Sequence, residues 1–214
     1  SGASRAIPLD TIINRVNTNP YIPYHWGKAQ DGMQAKEELV GAVKDFALKE
    51  WLWLRDRAVE SARTFETLGL HKQVANRALE PWMYIDTIIT STEWTNFFEL
   101  RDHPDAQPEM QALAKAIREV IETAVPQELE HGEWHLPYVG RGEVLMDGIE
   151  AALMYSTARC ARVSYHLHDG TEANPVADIK LYNKLVGSRP LHASPAEHSA
   201  RPLLDYEPKS YQRN

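Results

Sequence analysis

The residues with the most chemistry on offer are arginines. Arg77 lies in "KQVANRALEP" and Arg101 in "FFELRDH", each beside apolar neighbours. Arg5 lies in "SGASRAIP", and Arg159 and Arg162 share "ARCARVSY". A guanidinium grips phosphate or carboxylate with two parallel hydrogen bonds. Set at the edge of a core, it needs an anionic partner or a full set of acceptors. The stretch "TEWTNFFELRDHPDAQPEM" adds an amide, Asn96, beside Trp94, Phe97 and Phe98. Two readings follow from residue type alone. These are rim residues that are solvated or ion-paired, or the segment presents an amide and a guanidinium to something planar and anionic.

Other reactive groups carry less. In "LHASPAEH", Ser194, Pro195 and Glu197 have the spacing of a capping box with proline at the first helical position. The spacing predicts a helix start there, and helix N-termini favour anions; His192 lies just upstream. His131 and His135 flank Glu133, and His166 and His168 are two apart. No HExxH motif is present and one cysteine cannot build a thiolate site, so no metal is expected. Cys160 sits among alanines and reads as a buried structural thiol rather than a nucleophile. Neither GxSxG nor GxGxxG occurs, which removes support for nucleophile-elbow hydrolases and for Rossmann dinucleotide binding.

The bulk composition limits the function classes. A chain of 214 residues, 43% hydrophobic and 9% aromatic, is expected to fold as a single domain over residues 1–214. Its net charge of −7 argues against non-specific nucleic-acid binding, which needs a basic stripe. A local arginine cluster could still hold a small anion. No apolar run approaches the roughly 20 residues needed to span a bilayer, so no membrane association is expected. The first residues lack the apolar centre of a signal peptide. One cysteine and no disulfide framework fit a reducing cytoplasm.

The elements that must position these groups are mostly helical. Residues 1–33 read as irregular, with Pro8, Pro20 and Pro23. Residues 34–68 show Leu39, Val43, Phe46, Ala47, Leu54, Ala58, Ala62 and Phe65 at helical spacing, stopped by Gly69. A short helix over 70–79 should end before Pro81. "MYIDTIITST", 83–92, is rich in β-branched residues and reads as a strand, or as a helix held by its tertiary context. Thr90 and Glu93 fit a capping box for the helix carrying Asn96 and Arg101. Pro108 opens a helix to about Ala124, with Met110, Leu113, Ile117, Val120 and Ile121 on its inner face. Residues 125–146 read as a long loop or lid. Asp147 and Glu150 cap a helix over 148–162 that is rich in small residues, and another runs from Pro175 to near Gly187. The tail after Arg201 reads as irregular.

Taken together, these motifs resemble the flavin-dependent thymidylate synthases. "VANRALEP" resembles the segment whose arginine holds the phosphate of dUMP, which implies that role for Arg77. "TNFFELRDHPDAQPE" is similar to the family's N-F-L-x-L-R followed by H-A-Q-x-E. The resemblance implies that Asn96 contacts FAD and that Arg101 polarises the uracil as the catalytic arginine. Thr90, Ser91 and Thr92 fall where the family makes further FAD contacts. "ARCARVSY" resembles A-R-V-S-Y/F and points to Ser164 as a cofactor contact. "HASPAEH" is similar to H-E-T-P-F-E-H and places His192 and Ser194 at FAD positions. The family signature R-H-R-x-x-S-x-N-E-x-S-x-R-Y is mostly absent. Its tail is matched by "SGASR", which implies substrate contacts for Ser1, Ser4 and Arg5. The chain begins inside that motif, so native flanking segments are expected. The motif order is also permuted, as in a divergent branch.

The resemblance implies an α+β fold, a helix-rich domain around a central, mainly antiparallel sheet. It implies reductive methylation of dUMP to dTMP, with FAD as cofactor and NADPH and methylenetetrahydrofolate as co-substrates. It also implies a homotetramer with active sites shared between subunits. Two rivals stand beside it: a pyrimidine nucleotide hydroxymethylase on the same scaffold, and a non-catalytic nucleotide-binding or interaction protein.

Overall fold

The structure is a computed structural model that describes residues 4–32, 35–164, 166, 171–172 and 174–203. Its contacts fall into two compact units. Among the described residues, the first holds 4–85 and 91–125, and the second holds 86–90 and 126–203.

The first unit is built on a helix that follows Pro8. Helix α1 spans Leu9–Thr18, and its Leu9, Ile12, Ile13 and Val16 are all buried. That is i, i+3, i+4, i+7 spacing, one apolar stripe on a 3.6-residue turn. The expectation of an irregular start to the chain is therefore corrected. Pro8 sits just before the first helical turn, where its fixed φ is compatible and no helical N–H is lost. The stripe packs with Ile7, Ala62, Leu79 and Trp82 into the core, and Trp51, Ala58, Val59 and Met83 lie against it. Each such large apolar side chain contributes about 1.5–3 kcal/mol when fully buried. Trp82 Nε1 donates to the Trp51 carbonyl (3.2 Å), and Trp51 Nε1 donates to the Tyr21 carbonyl (2.9 Å). The indoles thus bury their polar edges with partners.

Helix α2 spans Gly41–Thr67 and stops where Gly69 turns to a φ of 78°. Helix α3, Lys72–Ala75, runs into a 3-10 turn at Asn76–Trp82 that carries Pro81 inside it. Helix α4 spans Thr95–Arg101 and helix α5 spans Pro108–Thr123. The expected inner face of α5 is only partly covered among the described residues: Met110 and Ile117 are half-buried, whereas Leu113, Val120 and Ile121 are 47%, 65% and 44% exposed. Val43, Phe46 and Leu54 on α2 are likewise exposed.

The expected α+β architecture with a central antiparallel sheet is contradicted. Among the described residues there is no sheet; three isolated bridges, Gly27 with Glu38, His135 with Ala200 and His166 with Glu172, are the whole of the β pairing. Residues 83–92 form neither strand nor helix. The β-branched run has the propensity, but propensity reflects fit to a half-buried pleated surface beside a partner strand. Among the described residues no strand lies beside it, and Ile85 and Ile89 are exposed.

In the second unit, helix α6 spans Arg141–Arg162 and is kinked at Gly148, whose φ of 82° only glycine adopts freely. The helix expected from 148 is thus preceded by an extra arm, capped where Glu143 accepts from the Gly140 N–H (3.0 Å). Helix α7 spans Pro175–Leu185. Asn174 caps it by accepting from Ala177 N–H (2.8 Å), with Pro175 at the first position. The expected helix start at Ser194 is reduced to a 3-10 turn, Ser194–His198, with no side-chain cap.

Candidate functional site

Arg5 and Arg77 share one pocket. It has a volume of about 300 Å³ and is walled by Ser4, Arg5, Arg77, Glu80, Met83 and Ile85. Both arginines are exposed, and neither forms an ion pair among the described residues. Their placement is fixed from beneath. Asn76 is fully buried and its amide donates to the Ser4 carbonyl (2.8 Å) and the Ile7 carbonyl (3.0 Å). Lys72 Nζ donates to the Ala6 carbonyl (2.9 Å), and the Ser4 hydroxyl donates to Glu80 Oε1 (2.5 Å). The turn carrying Arg5, Ser4–Ala6, is therefore stitched along its length to the segment carrying Arg77. A buried donor set of this kind is costly to break, because the carbonyls would be left unsatisfied. Sequence reasoning missed Asn76; a single asparagine beside an arginine gives no periodic signal. Ser1 lies outside the described residues.

Arg101 closes helix α4 and is exposed, as is Asn96; neither makes a hydrogen bond among the described residues. No residue of α4 is buried, so its seat on α5 comes from its neighbours. Arg118 of α5 pairs through Nε with Asp102, the residue after Arg101 (2.9 Å), and lies 4.5 Å over the Phe98 ring. Trp94, Phe97 and Phe98 form one aromatic cluster with centroids 5.5–6.0 Å apart. The expected Thr90–Glu93 capping box is not formed. Helix α4 begins at Thr95, whose N–H donates to Glu93 Oε1 (2.7 Å), while the Ser91 hydroxyl donates to the Glu93 carbonyl (2.7 Å). A tight turn over 91–95 thus takes the place of the longer helix. Thr92 is exposed. Arg101 is not among the walls of the pocket that holds Arg5 and Arg77.

The second unit holds the remaining candidates. Thr90 Oγ1 and His198 Nδ1 are 2.9 Å apart, so residue 90 and the Ser194–His198 turn meet. His192 and Ser194 are exposed. Ser164 is half-buried, and its hydroxyl accepts from His166 N–H (2.9 Å). It follows Val163, which caps α6 with a left-handed φ of 54°.

Below that cap lies a buried ionic cluster. Arg159 donates to Asp178 (2.8 Å), to both oxygens of Glu143 (2.6 and 3.0 Å) and to the Tyr138 carbonyl (2.7 Å). Arg162 pairs with the other oxygen of Asp178, while its Nε and Nη1 are buried with no partner among the described residues. The hydrogen bond from Arg159 holds the Glu143 carboxyl below its ordinary range, aided by the Gly140 N–H and opposed by burial. A carboxyl lowered in the folded state contributes stability that is complete above its unfolded value, about 4.3, and is lost as pH falls through the lowered one. The chain is therefore expected to lose melting temperature as pH drops from about 5 toward 3. Glu143→Gln should flatten that slope, as thermal melts across the range would read.

Two further hollows are present, and the first is walled in part by Ala106, Gln107 and Glu109, from the stretch that resembles H-A-Q-x-E. One of about 1110 Å³ has Glu38 and Glu109 in its wall. Both are already engaged, Glu109 by the Tyr21 hydroxyl (2.7 Å) and Glu38 by Lys44 (3.3 Å) and His25 (3.1 Å). The other, about 410 Å³, is mainly apolar and includes Trp134 and Leu145. Among the described residues no three His, Cys, Asp or Glu side chains gather as a metal set, and no helix is long and apolar enough to cross a membrane. Cys160 is buried, and burial pushes its thiol up.

No curated protein and no solved structure matches the chain. A family model does: the one described as thymidylate synthase complementing protein (Thy1) matches residues 15–127. That span is just over half of the chain and contains Arg77, the 90–92 segment, Asn96 and Arg101. The chain belongs to the thymidylate synthase complementing protein family.

Proposed function

We propose that the chain methylates dUMP reductively to dTMP, taking the carbon from methylenetetrahydrofolate and the hydride from NADPH through FAD. One observation carries this reading: Arg5 and Arg77, which form no ion pair among the described residues, wall a single pocket of nucleotide size. The family match supports it by covering Arg77, Asn96 and Arg101.

The available groups fit FAD. Asn96, Ser91 and Thr92 of the first unit would offer an amide and hydroxyls to FAD, and Thr90, His192 and Ser194 of the second would offer hydroxyls and an imidazole of their own. Half-buried Ser164 of the second unit would add a further hydroxyl. Bound FAD, reduced by NADPH, would supply the hydride. The chain's own residues bind and polarise. Arg77 and Arg5 anchor the phosphate dianion, with Ser4 beside them giving its proton to Glu80, and that remote grip orients the base. Arg101 stabilises negative charge developing on the uracil. No thiol attack is needed, which agrees with the buried Cys160. The exposed apolar residues of α2 and α5 support a homotetramer, in which Arg101 of one subunit would serve the phosphate pocket of another.

Flavin and dUMP titrations test this reading. The purified chain should take up FAD with a flavin absorbance that dUMP perturbs. Arg77→Ala should weaken dUMP by about 10- to 100-fold, the scale of a charged hydrogen bond, and leave FAD affinity unchanged. A colourless protein indifferent to FAD would refute the enzyme reading and favour a non-catalytic binder.

A further inference from the structure

The phosphate pocket has an unexpected wall. Beside Arg5 and Arg77 stands a carboxylate, Glu80, with Met83 and Ile85 opposite in composition. A carboxylate next to a phosphate subsite repels the ligand unless it is used for something. Glu80 is exposed, and only part of its acceptor capacity serves the tie to the Ser4–Ala6 turn. One of its oxygens, Oε1, takes the Ser4 hydroxyl. A carboxylate has two oxygens with about four acceptor positions, so the same group can take a second donor.

We propose that Glu80 determines specificity in this pocket by accepting the sugar hydroxyl of a nucleoside monophosphate whose phosphate rests on Arg5 and Arg77. The inference rests on the nucleotide reading given above. Its logic is polarity along the pocket. Two guanidiniums and one carboxylate leave a single net positive charge, with the cationic and anionic groups on separate residues. A dianionic phosphate must take the arginine side. The carboxylate side then requires a neutral donor within the span of one sugar from the phosphate. The sugar hydroxyl meets that condition, and Met83 and Ile85 add apolar surface to the same pocket. A site that hydrogen-bonds a substrate hydroxyl discriminates strongly against an analogue lacking it, because the protein group is left unpaired.

The test compares dUMP, 2′,3′-dideoxyuridine monophosphate and inorganic phosphate by calorimetry, on the native chain, Glu80→Gln and Glu80→Leu. The native chain should prefer dUMP over the dideoxy analogue by about tenfold. Glu80→Leu should shrink that preference, and Glu80→Gln should bind inorganic phosphate more tightly, since the repelling charge is gone. A preference that persists in Glu80→Leu, which has no oxygen to accept the hydroxyl, overturns the assignment. So does a native chain that binds both nucleotides equally, and in that case the nucleotide reading stands. A native chain that binds neither nucleotide nor phosphate overturns both.

Discussion

Arg101→Ala should leave the chain folded and cut tritium release from C5-labelled dUMP by about a hundredfold or more, the scale of removing one aligned charge donor from a reaction centre. The fold should survive because Arg101 is exposed, makes no bond among the described residues and ends a helix with no buried residue. The seat of that helix depends on Arg118, Asp102 and Phe98, which the substitution leaves alone. Dichroism and dUMP affinity should therefore stay near native values, since the proposed phosphate grip is that of Arg5 and Arg77. Unchanged tritium release would remove Arg101 from the catalytic role. Arg101→Lys should recover little, because an ammonium offers a point charge where the planar fork gave two aligned donors.

Asp178→Ala should destabilise the second unit by about 3–5 kcal/mol, the cost of breaking a buried pair from one side. Asp178 is fully buried and faces both Arg159 and Arg162, whose side chains are each 5% exposed. Removing it strands two buried cations, with Glu143 left to balance one of them. A loss of that size is a large share of the about 5–15 kcal/mol that holds a typical domain. Chemical denaturation should show a separate early transition for the α6–α7 region. A triple replacement of Asp178, Arg159 and Arg162 by apolar residues of similar volume should regain much of the loss, because the cluster's own desolvation penalty disappears with it. If Asp178→Ala melts like the native chain, the cluster is not what joins α6 to α7.

Parts of this fold were legible before the structure. Gly69 as a helix stop, Pro108 and Pro175 as helix starts, and the small-residue helix ending at Arg162 all rest on local chemistry, which sequence carries directly. Helix α1 was legible in Leu9, Ile12, Ile13 and Val16, but Pro8 masked it; a proline just before a helix permits it rather than forbidding it. The sheet failed for a different reason. A run such as "TIIT" states a preference, whereas a strand exists only when another strand lies beside it, and that is a long-range fact. The site divides the same way. Arg77 and Arg101 stood out through family motifs, and Arg5 through a fragment of one. The partners that hold them did not. Asn76 reaches back some 70 residues to the Ser4–Ala6 turn, and Arg118 reaches Asp102 across a loop between helices. Pairings at such separations leave no local pattern to read.

Cys160 gives the chain a built-in clock. It is the only thiol in the sequence and is 3% exposed on the buried face of α6. A thiol reagent can reach it only when that helix lifts away, so the labelling rate counts openings of the α6–α7 region one molecule at a time. Ligands or substitutions that tighten this region will slow the colour change, and no engineered probe is needed to see it.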